Sequence, residues 1–298
     1  MKILIIGGHG FLGLQLLTDL EKKVPSADIY ISSSRAEVAN KKVILVNYDS
    51  VQSVENLIVK IAPDYIFHLA SSCIRDSSNC GLKKGKLRDN NILKALRKVD
   101  LPLMFIFISS MAVFSMSDKK IKPNSWCPKS NYGLEKLYML KKLLDLNKSN
   151  ENIDCKIIYP ASIYGKGQDG KMFLPRLLKS IEKGELMVAF GGNKKRDFVH
   201  VKDVSSVLVD LVTDNKDSIS QHIFIHTFVL YKMSEIAGLV CSAFRLNVED
   251  VIVFEDSQKD KERDLLEYQA IDQMFHQQSK LHSKMSFYQG IKEMVKTS

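Results

Sequence analysis

Short apolar runs alternate with longer stretches of helical spacing through the first half of the chain. Runs such as Lys2–Ile6 and Leu103–Ser109 are rich in β-branched residues and leucine, which is typical of buried strands. In Phe11–Lys22 the leucines recur every three or four positions, and this spacing predicts an amphipathic helix. Further predicted strands are Asp28–Ser32, Lys42–Val46, Tyr65–Leu69 and Cys155–Tyr159, and further predicted helical stretches are Val51–Ala62, Ile92–Val99 and Ser130–Leu146.

This alternation predicts the fold class. Strands that alternate with helices form parallel βαβ units, and strands that are apolar along their whole length indicate a sheet covered on both faces. We therefore expect an α/β, Rossmann-type doubly wound parallel sheet. The pattern loosens after residue 162, with glycines at 165–170 and 191–192. We expect residues 1–162, joined by a return of about 198–214, to form the main domain, and 163–298 to form a smaller C-terminal α/β lobe.

Composition and charge narrow the function classes. The chain has 298 residues, of which 45% are hydrophobic and 26% charged, a profile typical of globular proteins. The net charge of +9 is spread over scattered lysines rather than one basic tract. This suits a phosphorylated small molecule, and we expect no nucleic-acid partner.

Several other classes are not expected. No apolar run approaches the roughly 20 residues of a membrane span, and the apolar start Met1–Ile6 reaches glycine too soon for a signal-peptide core;. We therefore expect a cytoplasmic protein with no membrane partner. The five cysteines form no C-x-x-C pair, so we expect reduced thiols and no metal site.

A glycine-rich turn joins the first predicted strand to the first helix. Gly7, Gly10 and Gly13 give G-x-x-G-x-x-G, and Gly8, Gly10 and Gly13 give G-x-G-x-x-G. Glycines in this position let the backbone approach a pyrophosphate, and the helix N-terminus supplies N–H donors. The turn therefore predicts a dinucleotide site in residues 1–162.

The end of the second strand bears on which dinucleotide binds. An NAD site usually has an acid there that holds the ribose 2′-hydroxyl. Here the strand is followed by Ser33, Ser34 and Arg35. Hydroxyls and a guanidinium favour a 2′-phosphate, so we expect NADP(H), with NAD(H) as the alternative.

Tyr132 and Lys136 form a Y-x-x-x-K pair at the start of a predicted helix. The spacing puts both side chains on one face, and an ammonium near a phenol is expected to lower its pKa. Tyrosine could then exchange a proton with a sugar oxygen while a hydride moves. Ser109 and Ser110, at the end of an apolar strand, lie where a serine could hydrogen-bond the reacting oxygen.

With these motifs in order, the sequence resembles the extended short-chain dehydrogenases/reductases, in particular the nucleotide-sugar epimerases, dehydratases and 4-ketoreductases. The resemblance covers essentially the whole chain. It is carried by Gly7/Gly10/Gly13, His68–Ala70, Ser109–Phe114, Tyr132–Lys136, Tyr159–Gly165 and Arg196–Val204.

The resemblance implies roles for individual residues. Ser110, Tyr132 and Lys136 would be catalytic, with Tyr132 as the acid/base and Lys136 on the nicotinamide ribose. The cofactor-binding residues would be Gly7, Gly10, Phe11, Leu12, Gly13, Ser33, Ser34, Arg35, Asn47, Tyr48, Leu69, Ala70, Ser71, Tyr132, Lys136 and Tyr159. The substrate-binding residues would be Ser72, Ser110, Met111, Ser162, Arg196 and Arg263. The two arginines would bind the diphosphate, and surface ion pairs with Asp197 and Asp264 are the alternative.

The sequence departs from the pattern of relatives in three places. Met111 and Ala112 stand where 4,6-dehydratases carry an Asp-Glu pair, so dehydration is not expected. The stretch Gly85–Asn91 lacks the Asn-x-x-Gly-Thr of relatives. Ser162 is often asparagine in epimerases.

Three functions follow from the resemblance. The first is NADPH-dependent reduction of a nucleotide-activated 4-keto-6-deoxy sugar, in the synthesis of deoxysugars for surface polysaccharides such as the lipopolysaccharide O-antigen. The second is 4-epimerisation on a retained NAD, and the third is a non-catalytic NADPH sensor or scaffold. A nucleotide-diphosphate sugar as substrate and a homodimer are implied as well.

Overall fold

The computed structural model of the chain describes residues 1–34, 43–72, 77–114, 126–214, 220–227, 229–255 and 285–295. The described chain divides into two compact units. The first comprises the described parts of Met1–Ser115, Lys122–Pro160 and Ser205–Phe224, and the second those of Ala161–Val204 and Ile225–Ser298.

Strands and helices alternate along the first unit and continue in the second. The strands are β1 Lys2–Ile6, β2 Asp28–Ser33, β3 Val43–Leu45, β4 Tyr65–His68, β5 Leu103–Ile108, β6 Ile153–Pro160, β7 Ser162–Tyr164, β8 Met187–Phe190, β9 Lys195–His200, β10 His222–Ile225, β11 Leu230–Lys232 and β12 Ile252–Glu255. The helices are α1 Phe11–Lys23, α2 Val51–Ile61, α3 Asn79–Leu96, α4 Asn131–Ser149, α5 Phe173–Lys183, α6 Val201–Thr213, α7 Met233–Phe244 and α8 Phe287–Val295.

The first unit is built on a parallel sheet. Within the described residues it has seven strands in the order β3-β2-β1-β4-β5-β6-β10. Ile6 at the end of β1 is in register with Ser32 on one side and His68 on the other. The strand order reverses between β1 and β4, and ligands of such sheets bind outside the carboxyl ends of the strands at this reversal. The predicted Rossmann-type α/β fold is confirmed.

Burial and capping explain these elements. All six residues of β5 are buried, as expected for a strand covered on both faces. Serine hydroxyls accept backbone N–H groups at three helix starts, with Ser50 at α2, Ser78 at α3 and Ser130 at α4. Such caps satisfy donors that a helix leaves without partners. None of the described helices is both long and apolar enough to cross a membrane.

The second unit has its own core. Its described strands form a three-stranded sheet in the order β11-β9-β7 and a β12-β8 pair. Tyr164 of β7, Phe198 of β9 and Phe287 of α8 pack at its centre, with ring centroids between 5.0 and 6.1 Å apart. Buried residues from α5 and α7 complete this core.

Candidate active site

The glycine turn lets backbone segments pack closely at the β1–α1 junction. Gly7 has φ of +81°, and a Cβ atom there would lie 3.1 Å from the backbone nitrogen of Ala70. A Cβ atom on Gly13 would lie 2.6 Å from the carbonyl oxygen of Gly8. At the start of α1, Gly10 provides no side-chain cap. The first N–H groups of this helix are therefore available to a phosphate.

The first two residues of α1, both predicted to bind the cofactor, differ in their burial. Phe11, the first residue of the helix, is partly buried, whereas Leu12 is 9% exposed and belongs to the core. A pyrophosphate at this turn would thus meet backbone rather than the Leu12 side chain. The close backbone approaches at Gly7 and Gly13 are the tight turn and the close helix packing that a dinucleotide-binding turn requires;.

A cavity of about 340 Å³ lies beside the end of β2. It is lined by Ser34, Leu45, Val46, Asn47, Asp49 and Arg88. Arg88 reaches it from α3, and its Nε donates to the Asp49 carboxylate at 2.8 Å. This bond holds the pKa of Asp49 below its ordinary value. Arg88 was not predicted, because it lies on a different element more than 50 residues after β2.

The predicted cofactor residues near this cavity separate into two groups. Ser34 and Asn47 are exposed in it. Ser33 is 1% exposed within β2, and Tyr48 is buried with its hydroxyl donating to Ser32 Oγ at 2.6 Å. Neither residue of the buried pair is among those that line the cavity. Arg35 lies outside the described residues.

The serine, tyrosine and lysine of the predicted catalytic set come together in the first unit. Ser110 hydrogen-bonds the Tyr132 side chain, and its Oγ also accepts the N–H of Ala112 at 3.1 Å. Lys136 Nζ donates to the carbonyl oxygen of Ala70 at 3.3 Å and lies 5.9 Å from the Tyr132 ring centroid. Met111 is buried in a 3₁₀ turn that Ser110 caps.

The direction of the Tyr132 pKa differs from the sequence-based expectation. Removal of the hydroxyl from water raises the pKa of Tyr132 to about 12. The Ser110 hydrogen bond lowers it and the charge of Glu135 raises it further. The prediction that a neighbouring ammonium leaves this pKa lowered is wrong for this structure, because burial outweighs the opposing effects. Tyr132 is accordingly protonated at neutral pH.

Glu135 is a site residue that the sequence did not indicate. It is 2% exposed, and its two carboxylate oxygens accept Ser71 Oγ at 2.7 Å and Ser72 N–H at 2.9 Å. Leu69, Ala70, Ser71 and Ser72 are all partly buried after β4. The predicted cofactor residues of this segment therefore lie against α4. Glu135 occupies a variable position of Y-x-x-x-K, so the motif alone gave no signal for it.

Tyr159, which was also predicted to bind the cofactor, is buried among other aromatic residues. Tyr159 of β6 is 1% exposed, and its hydroxyl lies 3.0 Å from His222 Nδ1. Its ring stacks on Phe224 with centroids 4.6 Å apart and contacts Phe114. These contacts are those of a core residue.

The predicted substrate residues of the second unit lie on two paired strands. Ser162 of β7 is in register with Phe198 of β9. Arg196 of β9 is partly buried, and its Nη1 donates to the Lys195 carbonyl at 2.9 Å. The next residue, Asp197, is 1% exposed and accepts both the N–H and the hydroxyl of Thr227. Arg263 lies outside the described residues.

Comparison with known proteins identifies the family. Residues 3–225 match the sequence profile described as "NAD dependent epimerase/dehydratase family". The chain belongs to this family. Members of the epimerase/dehydratase family are NAD(P)-dependent oxidoreductases and epimerases that act on nucleotide sugars.

Individual relatives differ in the reaction that they are named for. The GDP-6-deoxy-D-talose 4-dehydrogenase of Aggregatibacter actinomycetemcomitans is 24% identical over 247 residues, which cover 81% of this chain and 79% of that protein. The dTDP-4-dehydro-6-deoxyglucose reductase of Escherichia coli is 25% identical over 275 residues, which cover 85% of this chain and 84% of that protein. The structure of Thermus thermophilus UDP-glucose 4-epimerase in complex with NAD superposes on this chain with a TM-score of 0.78 at 19% sequence identity. The superposition covers 99% of this chain and 98% of the epimerase.

Proposed function

We propose that this protein is an NADPH-dependent reductase of a nucleotide-activated 4-keto-6-deoxy sugar. The observation that carries the proposal is the arrangement of Ser110, Tyr132 and Lys136, in which Ser110 hydrogen-bonds the Tyr132 side chain and Lys136 Nζ lies 5.9 Å from the Tyr132 ring centroid. Reduction of a ketone needs a proton donor at the carbonyl oxygen, and Tyr132 is a donor at neutral pH. An enzyme that begins by oxidising a hydroxyl needs a proton acceptor first.

The end of β2 supports NADPH as the reductant. The strand finishes on Ser33, and exposed Ser34 follows it in the cavity that Arg88 also lines. Neither serine is an acid, and the carboxylate that does line the cavity, Asp49, is paired with Arg88. Arg88 adds a guanidinium to the same cavity, although its charge is shared with Asp49.

The residues of the first unit would act together on the ketone. NADPH, when bound, supplies the hydride. Ser110 would hydrogen-bond the ketone oxygen, and Tyr132 would donate its proton to that oxygen as the alcohol forms. Lys136, held on the Ala70 carbonyl, places a positive charge near the phenol as it becomes a phenolate, which stabilises the developing charge.

The named relatives support the choice of a 6-deoxy sugar. The two curated relatives above are named for oxidoreduction at position 4 of 6-deoxy sugars linked to GDP or dTDP. A role in deoxysugar synthesis, a cytoplasmic location and a homodimer belong to the same proposal. Arg196 would contact the diphosphate, because a guanidinium fork matches phosphate oxygens.

A 4-epimerase is the second candidate. It is favoured by the likeness of the fold to a UDP-glucose 4-epimerase that was solved with NAD. The epimerase would retain its cofactor and consume none. The third candidate, a non-catalytic sensor, is disfavoured by the proximity of Ser110 and Tyr132, which binding alone does not require.

The test is a turnover assay with purified protein. Nicotinamide absorbance is followed with NADPH or NADH and a GDP- or dTDP-linked 4-keto-6-deoxy sugar. We expect NADPH to be oxidised faster than NADH, and the Tyr132→Phe variant to bind NADPH but lose turnover. No net oxidation, together with NAD recovered from the denatured protein, would instead support the epimerase. Activity retained by Tyr132→Phe would contradict the catalytic assignment.

A further inference from the structure

Glu135 is a buried carboxylate on α4, the helix that carries Tyr132 and Lys136. It lies between Leu134 and Lys136 on α4 and is 2% exposed. A buried charge is costly unless hydrogen bonds satisfy it. Each of its oxygens accepts one donor from the segment after β4, at 2.7 Å from Ser71 Oγ and at 2.9 Å from Ser72 N–H.

Room for this carboxylate comes from α3. A Cβ atom on Gly85 would overlap Glu135 Oε1 and lie 2.6 Å from its Cδ. The Glu135 carboxylate on α4 therefore fits against α3 only because residue 85 has no side chain.

Glu135 and Lys136 hold the same short segment. Lys136 donates to the carbonyl of Ala70, while Glu135 accepts from the next two residues. On its other side, Ala70 is in close contact with the phosphate-binding turn, since a Cβ atom on Gly7 would come within 3.1 Å of its nitrogen. The segment Ala70–Ser72 therefore links the glycine turn to the helix that carries Tyr132.

Among the described residues, titratable groups of β4, α3 and α4 surround the site that Glu135 belongs to. His68 of β4 and Asp89 of α3 form a buried pair, with Nε2 and Oδ1 3.0 Å apart. The pKa of Asp89 is raised, chiefly by burial and also by the charge of Glu135, whereas Lys136 lowers it. Glu135 also raises the pKa of Tyr132. Its carboxylate is therefore electrostatically linked to the phenol.

We infer that Glu135 is a positioning residue of the catalytic site, which fixes the Ala70–Ser72 segment on α4 through its two hydrogen bonds. The inference rests on the proposed function for its catalytic readout. Its binding and ionisation readouts do not require sugar turnover.

Four variants separate positioning from packing. Glu135→Gln keeps the shape but removes the charge, and Glu135→Ala removes both. Gly85→Ala inserts a methyl group against the carboxylate, and Gly85→Ala/Glu135→Ala lets that methyl occupy part of the vacated space. Asp145→Asn removes an exposed carboxylate from the same helix and is the matched control.

Dinucleotide affinity and the pH profile are the decisive measurements. Two hydrogen bonds to a charged group are lost in Glu135→Ala, so we expect NADPH affinity and kcat/KM to fall roughly 10- to 100-fold. In the double variant we expect the melting temperature to recover towards that of wild type while affinity stays low. We expect Glu135→Gln to retain most of its affinity and to show a lower pKa of Tyr132, measured as phenolate absorbance against Tyr132→Phe. Asp145→Asn should match wild type throughout.

Two results would overturn the inference. One is a double variant that regains affinity together with stability, which would make Glu135 a packing residue only. The other is a Glu135→Ala variant that binds NADPH as tightly as wild type. If wild type reduces no keto sugar, the proposed function fails, while the affinity measurements still decide the role of Glu135.

Discussion

The buried pair of Asp89 and His68 provides a test of charge burial in the first unit. Asp89 is 6% exposed and His68 is 2% exposed. Burial raises the pKa of Asp89, the hydrogen bond from His68 opposes this, and Glu135 adds to it. Removal of the whole carboxyl group and removal of its charge alone should therefore have different effects on stability.

The magnitude follows from what each substitution removes. Asp89→Ala takes the acceptor away from the buried His68 ring nitrogen, and an unsatisfied buried donor costs about 1–3 kcal/mol. For a protein of this size, each kcal/mol changes the melting temperature by roughly 2–4 °C. We expect a decrease of roughly 2–12 °C. Asp89→Asn keeps an acceptor oxygen and removes the charge, so we expect no such loss at neutral pH.

The pH dependence has a definite sign. Because its pKa is raised in the folded state, Asp89 contributes fully to stability below its ordinary pKa of about 3.9, and this contribution is lost as pH rises through the folded value. The side chain in Asp89→Asn does not titrate there. The melting temperature of this variant minus that of wild type should therefore increase from acidic to neutral pH.

Thermal unfolding followed by circular dichroism across this pH range measures both effects. Asp145→Asn, an exposed change on α4, is the control and should track wild type. An Asp89→Ala variant that melts with wild type would refute the hydrogen-bond argument. A difference between Asp89→Asn and wild type that is constant with pH would refute the argument from burial.

Three further predictions concern the cofactor and the proton donor. Ser34→Asp puts a carboxylate in the β2 cavity, so we expect NADPH affinity to fall roughly tenfold or more relative to NADH in fluorescence titrations; equal losses for both would contradict the assignment of the 2′-phosphate. Gly13→Ala places Cβ 2.6 Å from the Gly8 carbonyl oxygen, so we expect weaker binding of both dinucleotides in the same titrations with an unchanged circular dichroism spectrum. Ser110→Ala removes a hydrogen bond to Tyr132, and we expect kcat to fall roughly a hundredfold in the turnover assay.

Features that depend on neighbouring positions could be predicted from the sequence. The buried strand β5 and the glycine turn before α1 lie where apolar runs and glycine spacing place them. Tyr132 and Lys136 share the site because four residues make about one helical turn. The family was predicted correctly because its motifs occur in order along the chain.

Features that depend on packing between distant elements were missed. Arg88 meets Asp49 across 39 residues, and Glu135 meets Ser71 across 64. No local sequence pattern marks Arg88 or Glu135 as a partner of these residues. The raised pKa of Tyr132 belongs to the same class, because it reflects desolvation by the surrounding fold, which Y-x-x-x-K spacing does not encode. Tyr159 looked like a cofactor residue by motif, yet packing places it in an aromatic cluster.

The opposing influences on Tyr132 connect the proposed function to the inference about Glu135. Reduction needs the protonated phenol, so its rate should fall as pH rises through the pKa of Tyr132. Ser110 lowers this pKa and Glu135 raises it. The alkaline limb of the reductive pH profile should therefore move to higher pH in Ser110→Ala and to lower pH in Glu135→Gln. A substitution that only weakens the fold would lower the rate without moving the limb, and two such substitutions would not move it in opposite directions. Limbs that coincide with the wild-type limb in both variants would show that Tyr132 is not the group that titrates.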